Sequence, residues 1–173
     1  VMGEIIDVKA LTTTPSGILA IEDVGVQQVE IQARAIRPYP PANVKINDAY
    51  WPEEIETDLV LTWMDRNRLQ QTGGSILGWF DGGVTIEPGT QTHLILTQLD
   101  ENDIELATTN ANVTGSTSYT MPISSMQADA RFVKVILKTV RDGYECLNLF
   151  IHTVELSQFF SAPYDLTVEF KND

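Results

Sequence analysis

Short runs of alternating apolar and polar residues, bounded by Gly, Pro, Asn and Asp, recur along this chain. A period of two puts successive side chains on opposite faces of an extended segment, so each run predicts a half-buried strand. Glu4 to Val8 is the first. Val24 to Ala33 follows, with Val29, Ile31 and Ala33 on one face against Glu30, Gln32 and Arg34. Asp58 to Trp63 sets Leu59, Leu61 and Trp63 together, and the indole there predicts a core anchor. His93 to Leu99 alternates Leu94, Leu96 and Gln98 against His93, Ile95, Thr97 and Leu99. It turns through Asp100-Glu101-Asn102-Asp103 and returns over Ile104 to Ala107. A turn at Thr114-Gly115 leads into a Thr/Tyr strand stopped by Pro122. The strongest hairpin runs from Arg131 to Val140, turns at Asp142-Gly143 and returns over Tyr144 to Leu156, since Asp-Gly tolerates the positive φ values of a tight hairpin turn. Tyr164 to Phe170 predicts a last strand.

The breaks between runs set the organisation. Pro38, Pro40 and Pro41 in Arg37-Pro38-Tyr39-Pro40-Pro41 forbid a helix and a central strand, so this stretch reads as a stiff crossing and a domain boundary. Ala42 to Ile46 resumes as a short edge strand. Thr72 to Gly83 is a Gly-rich loop with a short strand expected around Ile76 to Phe80. Glu87-Pro88-Gly89-Thr90 has turn chemistry, and Pro122 to Ala130 reads as a loop or one short helical turn. No amphipathic helix longer than two turns is predicted. About seven short strands, spaced by roughly 8 to 20 residues, fill residues 40 to 155, which is the pattern of a β-sandwich. The expectation is an all-β chain: an N-terminal β segment (1–37), a sandwich (38–155) and a C-terminal strand (156–173) returning to pair with the first segment in a small additional β unit. The opening Val1-Met2-Gly3 does not read as a natural start, so the chain is expected either to be a fragment of a longer one or to carry a leftover first residue.

Composition narrows the function. The 24 acidic against 11 basic residues give a net charge of -13, which opposes binding to nucleic acid and to anionic membrane surfaces. No apolar run approaches the roughly 20 residues needed to cross a bilayer as a helix, and no secretory leader is legible. The single cysteine, Cys146, can form no internal disulfide and reads as a small buried hydrophobe, so packing must hold the core.

Catalytic chemistry is poorly represented. His93 and His152 both lie inside strand runs, and no nucleophile elbow, phosphate-cradling loop or His-Glu-x-x-His pattern is present. Glu53, Glu54, Glu56 and Asp58 form one acidic cluster, and Asp100, Glu101 and Asp103 another. Neither has the apolar surroundings that raise a carboxyl pKa, so both read as solvated loops. No catalytic residue, metal ligand or cofactor is expected. Binding is better served. Trp51, Trp79 and Phe80 lie in Pro- or Gly-flanked loops where a ring either closes an end of the sandwich or stacks on a sugar or a partner. Arg66 and Arg68, in Asp65-Arg66-Asn67-Arg68, read as a turn salt-bridged to acidic loops or as contacts to a neighbouring subunit.

Four phrases carry a resemblance. Arg37-Pro38-Tyr39-Pro40-Pro41-Ala42-Asn43-Val44-Lys45-Ile46-Asn47 resembles the entry to a fibronectin type III-like domain of bacteriophage tail proteins, the large tail-tip or baseplate hub proteins of siphophages and gene-transfer-agent-like particles. Leu61-Thr62-Trp63-Met64-Asp65-Arg66-Asn67-Arg68 is similar to a strand of that domain with its charged turn. Glu87-Pro88-Gly89-Thr90-Gln91-Thr92 and Thr114-Gly115-Ser116-Thr117-Ser118-Tyr119-Thr120 continue the likeness, which covers roughly residues 34 to 140. It departs at Gln91-Thr92-His93, where an aromatic is expected, and in the loop from Thr72 to Gly83.

The resemblance implies a fibronectin type III or immunoglobulin-like sandwich serving as a non-enzymatic structural part of a virion tail or prophage, assembled in the bacterial host cytoplasm. Its partners would be other tail proteins and further copies of itself in the full-length parent, with a host-surface glycan as a candidate ligand. The alternative is a carbohydrate-binding or adhesion module of a bacterial surface or secreted protein, which a concave face lined by Trp51, Trp79 or Phe80 would favour. A glycan-cleaving enzyme would need two carboxylates about 5 Å or about 6.5–9.5 Å apart in a cleft.

Overall fold

The computed structural model describes residues 3–71 and 77–157. Its contacts divide the chain into two compact units, Val1–Arg37 and Pro38–Asp173.

In the first unit, β1 (Ile5–Val8) pairs antiparallel with β4 (Gln27–Glu30), while β2 (Thr13–Thr14) and β3 (Gly17–Ile18) form a minimal hairpin. None of the described residues of this unit up to Arg37 is buried. The half-buried strand expected over Val24 to Ala33 is therefore shorter and exposed. Ala33 takes φ 55° and its carbonyl accepts from the Ile36 amide at 3.1 Å, so the chain turns where the alternation would have carried it on.

The second unit is a two-sheet sandwich. Its strands are β5 (Ala42–Ile46), β6 (Glu54–Ile55), β7 (Leu59–Met64), β8 (Thr90–Leu99), β9 (Glu105–Asn112), β10 (Ser118–Met121), β11 (Phe132–Arg141), β12 (Tyr144–Glu145) and β13 (Phe150–Leu156). One sheet has the order β10-β7-β5. The other runs β6-β13-β11-β8-β9, with β12 hairpinned onto β11. Apart from the short β6 and β12, three strands face four in the order of a fibronectin type III or immunoglobulin-like sandwich. The expected fold class is met.

The core follows from the period of two. Ile46, Leu59, Leu61 and Trp63 project from the first sheet against Leu94, Leu96, Val133, Val135, Leu137 and Val154 from the second. Burial of these side chains, at roughly 1.5–3 kcal/mol each, supplies the cohesion that no disulfide provides. Asp142 (φ 50°) and Gly143 (φ 79°) both take the positive φ of a tight hairpin turn. Gly89 (φ 80°) does the same after Pro88, closing the Thr90 amide onto the Glu87 carbonyl at 3.0 Å.

Several strand expectations change. The return expected from Tyr144 to Leu156 is interrupted, because the register shifts between the Val140–Glu145 and Leu137–Phe150 pairs. Buried Cys146 sits in this break, its amide bonded to the Thr139 carbonyl at 2.9 Å. The return after the Asp100 turn runs further than Ala107, to Asn112, since the ladder to β8 continues to His93. Leu77 to Phe80 is loop and turn rather than strand, and Ile76 lies outside the described residues. The strand expected over Tyr164 to Phe170 also lies outside them. Pro122 to Ala130 holds one 3₁₀ turn, Ile123–Ser125.

Candidate functional site: an aromatic cleft

The loop after β5 bends sharply. Asn47 (φ 48°), Asp48 (φ 61°) and Trp51 (φ 53°) all take left-handed conformations. Asn and Asp tolerate that region, whereas a bulky residue such as Trp adopts it rarely. Trp51 is nonetheless 58% exposed. The ring stacks on Phe150 at a centroid distance of 4.9 Å and meets His152 edge-on at 5.4 Å. His152 Nε2 donates to the Pro52 carbonyl oxygen over 2.6 Å, which fixes the loop beside the indole.

Trp51 forms one wall of an open cleft of about 320 Å³ whose lining includes Pro40, Pro41, Tyr50, Trp79 and Asn148. None of the lining residues is charged. Tyr50 is also preset, its hydroxyl donating to Asn43 Oδ1 and its ring lying 5.1 Å from Lys45 Nζ. Trp79 is half exposed. The cleft thus has apolar rings as walls and the Tyr50 hydroxyl and Asn148 amide as polar groups, a composition typical of small-ligand sites.

The two arginines divide between this cleft and the interior. Arg66 Nη1 donates to the Gly78 carbonyl at 2.6 Å and lines a small hollow with Tyr39, Pro40 and Trp79. It ties down the residue next to Trp79. The Gly78 amide in turn donates to Asp81, closing a local turn. Arg68 instead points inward. Its guanidinium holds Glu87, which is 2% exposed, and Arg141 approaches the same carboxylate at 2.6 Å. The paired Arg68 guanidinium holds the Glu87 carboxyl below its ordinary value, and Glu87 raises Arg68 in return. Between the two arginines, buried Asn67 donates to the Thr85 carbonyl at 3.0 Å and caps the Leu69 amide at 2.9 Å. Burial raises the Asp65 carboxyl.

Of the residues singled out from sequence, Trp51 and Trp79 come together in the cleft and Arg66 lies behind it. Phe80 is 68% exposed and is not part of the lining. Tyr50 and Asn148 were missed. A Tyr-Trp pair after an Asn-Asp turn was the legible signal for Tyr50, and nothing local marks Asn148. Both histidines make ordinary hydrogen bonds, His93 to Gln91 at 3.1 Å and His152 to Pro52. Asp100 caps its own turn through the Asn102 and Ile104 amides, which holds its carboxyl below the ordinary value. Among the described residues, no three His, Cys, Asp or Glu side chains are grouped to hold a metal ion.

No family model matches the chain, and no curated protein matches it. Among solved structures it is similar to the crystal structure of chicken CNTN1 FN1-FN3 domains, with 13% identity and a TM-score of 0.36. That match covers 91% of this chain and 45% of the other, so this chain spans less than half the length of the protein it resembles.

Proposed function

We propose that the chain is a non-catalytic binding module that takes an uncharged carbohydrate in the cleft between Trp51 and Trp79. The observation that carries this reading is Trp51, a large ring held at φ 53° and left 58% exposed on the wall of an uncharged cleft. Backbone strain held at an exposed aromatic ring is a mark of a preorganised site. A sugar ring offers an apolar C–H face to stack on indole, and its hydroxyls suit the Tyr50 hydroxyl and the Asn148 amide. The absence of charge in the lining favours neutral over acidic sugars, because a carboxylate would lose its hydration there without a partner. The test is titration calorimetry with neutral and acidic oligosaccharides. Neutral ligands should bind, and Trp51→Ala should weaken binding at least tenfold while the folded circular dichroism spectrum is kept. No binding across both classes would end the reading.

A second reading, a structural domain of a phage tail hub working with other tail proteins, rests on the four sequence phrases. Arg68, from the second phrase, and Glu87, from the third, are partners in one buried ion pair, which ties these phrases to the fold of the domain and leaves the tail role resting on the resemblance. The two readings are compatible, since a projecting tail domain can itself touch a host glycan. Light scattering coupled to size exclusion separates them. A ring or trimer of the longest soluble parent chain supports the hub, and a monomer in both parent and fragment leaves the binding module alone.

A further inference from the structure

A β-sandwich has open edges, and natural sequences blunt them with prolines, bulges, lysines, short strands or a covering segment. Three edges here are blunted in these ways. The edge at β5 follows Pro40-Pro41, carries Lys45 and shifts register between Ala42 and Lys45. The edge at β10 is four residues long and stops at Pro122. On the outer side of β13, β6 pairs in parallel with its end at Glu155–Glu54 and Leu156–Ile55, and the Pro52 carbonyl just before β6 is held by His152. The fourth edge, β9, has no such device over most of its length. It runs for eight residues, Glu-Leu-Ala-Thr-Thr-Asn-Ala-Asn, without Pro, Lys or Arg, and its one register shift lies near its start.

The direction of its free groups follows from the ladder. The Val113 amide donates to the Thr92 carbonyl, so Val113 turns its backbone groups toward β8. Backbone direction alternates along a strand, so Ala111 and Thr109 face β8 as well. Thr108, Asn110 and Asn112 therefore aim their N–H and C=O groups outward, and no other strand pairs with this side of β9 among the described residues.

We infer that β9 is an assembly edge, and that its occupant is β9 of a second copy, antiparallel across a two-fold axis. Placing Asn110 opposite its own copy brings Thr108 opposite Asn112, which pairs only outward-facing residues and forms about six backbone hydrogen bonds. Charge selects this arrangement. The chain carries -13, and the acidic residues near this strand, Asp100, Glu101, Asp103 and Glu105, all lie at one end of it. A parallel partner would set the two acidic ends side by side. The antiparallel partner sets each beside the neutral Asn112 end of the other copy, and the cross-strand contacts are Thr and Asn. The two larger sheets would then become one continuous sheet.

The test is sedimentation velocity of the chain from 10 μM to 1 mM, with amide exchange measured in parallel. A reversible dimer is expected. It should strengthen as salt rises from 20 to 300 mM, because both copies are acidic. Exchange of the Thr108, Asn110 and Asn112 amides should slow with concentration, while those facing β8 do not change. Asn110→Pro removes one outward donor without touching the ladder to β8 and should weaken the dimer at least tenfold. Asn110→Lys is the gentler second variant and should act in the same direction. A monomer at 1 mM, or a dimer that both variants leave intact, would overturn the inference. Neither result bears on sugar binding in the cleft.

Discussion

Arg68 grips the carboxylate of Glu87 with two near-parallel hydrogen bonds, Nε to Oε2 at 2.8 Å and Nη2 to Oε1 at 2.6 Å. The paired residues lie 19 apart in sequence, across the long connection between β7 and β8. Removing one partner of such a pair strands the other charges in a place built for neutrality. Glu87→Ala should cost about 3 kcal/mol, read as a lower midpoint in urea unfolding.

The same pair sets an acid response. Glu87 is held below its ordinary value of 4.5, so its contribution is complete above that value and is lost as pH falls through the depressed one. Midpoints measured from pH 6 to pH 3 should therefore fall for the natural chain. In Glu87→Gln they should start lower and fall less over the same interval.

Arg66 holds the carbonyl beside Trp79 and does not line the cleft. Arg66→Ala should leave unfolding within about 1 kcal/mol of the natural chain, as a partly exposed side chain. It should nonetheless weaken sugar binding several-fold, because Trp79 must then be ordered on binding. Fluorescence anisotropy in a Trp51→Phe, Trp63→Phe background, which leaves Trp79 as the reporter, would follow that loosening.

Trp51 presents two opposing terms. Replacing it with Gly relieves about 1 kcal/mol of backbone strain. It also removes a stack on Phe150 worth roughly 0.5–1.5 kcal/mol. Trp51→Gly should thus unfold within about 1 kcal/mol of the natural chain while losing carbohydrate binding. A large loss of stability would show that the ring serves the fold.

At the hairpin, Gly143 has φ 79° and Asp142 has φ 50°. Gly143→Ala should destabilise by about 1 kcal/mol through left-handed strain, measurable as a shift in the urea midpoint at unchanged slope.

The sandwich was legible wherever burial on one face forces alternation. Leu59, Leu61 and Trp63 on β7, and Leu94, Leu96 and Gln98 on β8, are buried as their spacing required. The alternation of Val29 and Ile31 looked the same on the page, but among the described residues no second layer covers it, and pattern alone does not show whether a partner is there. The cleft was half legible. Tryptophans in loops flanked by Pro or Gly advertise themselves, while Asn148 enters only because β13 begins two residues later, after a register shift that no local signal announces. The Arg68–Glu87 pair was legible as charges in turns but not as partners, since their meeting depends on how β7 and β8 stack across the two sheets.

Two hydrogen bonds each join residues 100 positions apart: Thr139 Oγ1 donates to the Tyr39 carbonyl at 2.7 Å, and His152 to the Pro52 carbonyl. At a synthesis rate of roughly 5–20 residues per second, Tyr39 and Pro52 wait on the order of 5–20 s for their partners to be made. During that interval β5 and the Trp51 loop have neither clamp nor stack, because Phe150 is also still to come. The nascent chain therefore presents its aromatic segment to chaperones and proteases before it can present it to a ligand, and slowing translation between residues 52 and 152 would lengthen that exposure in direct proportion.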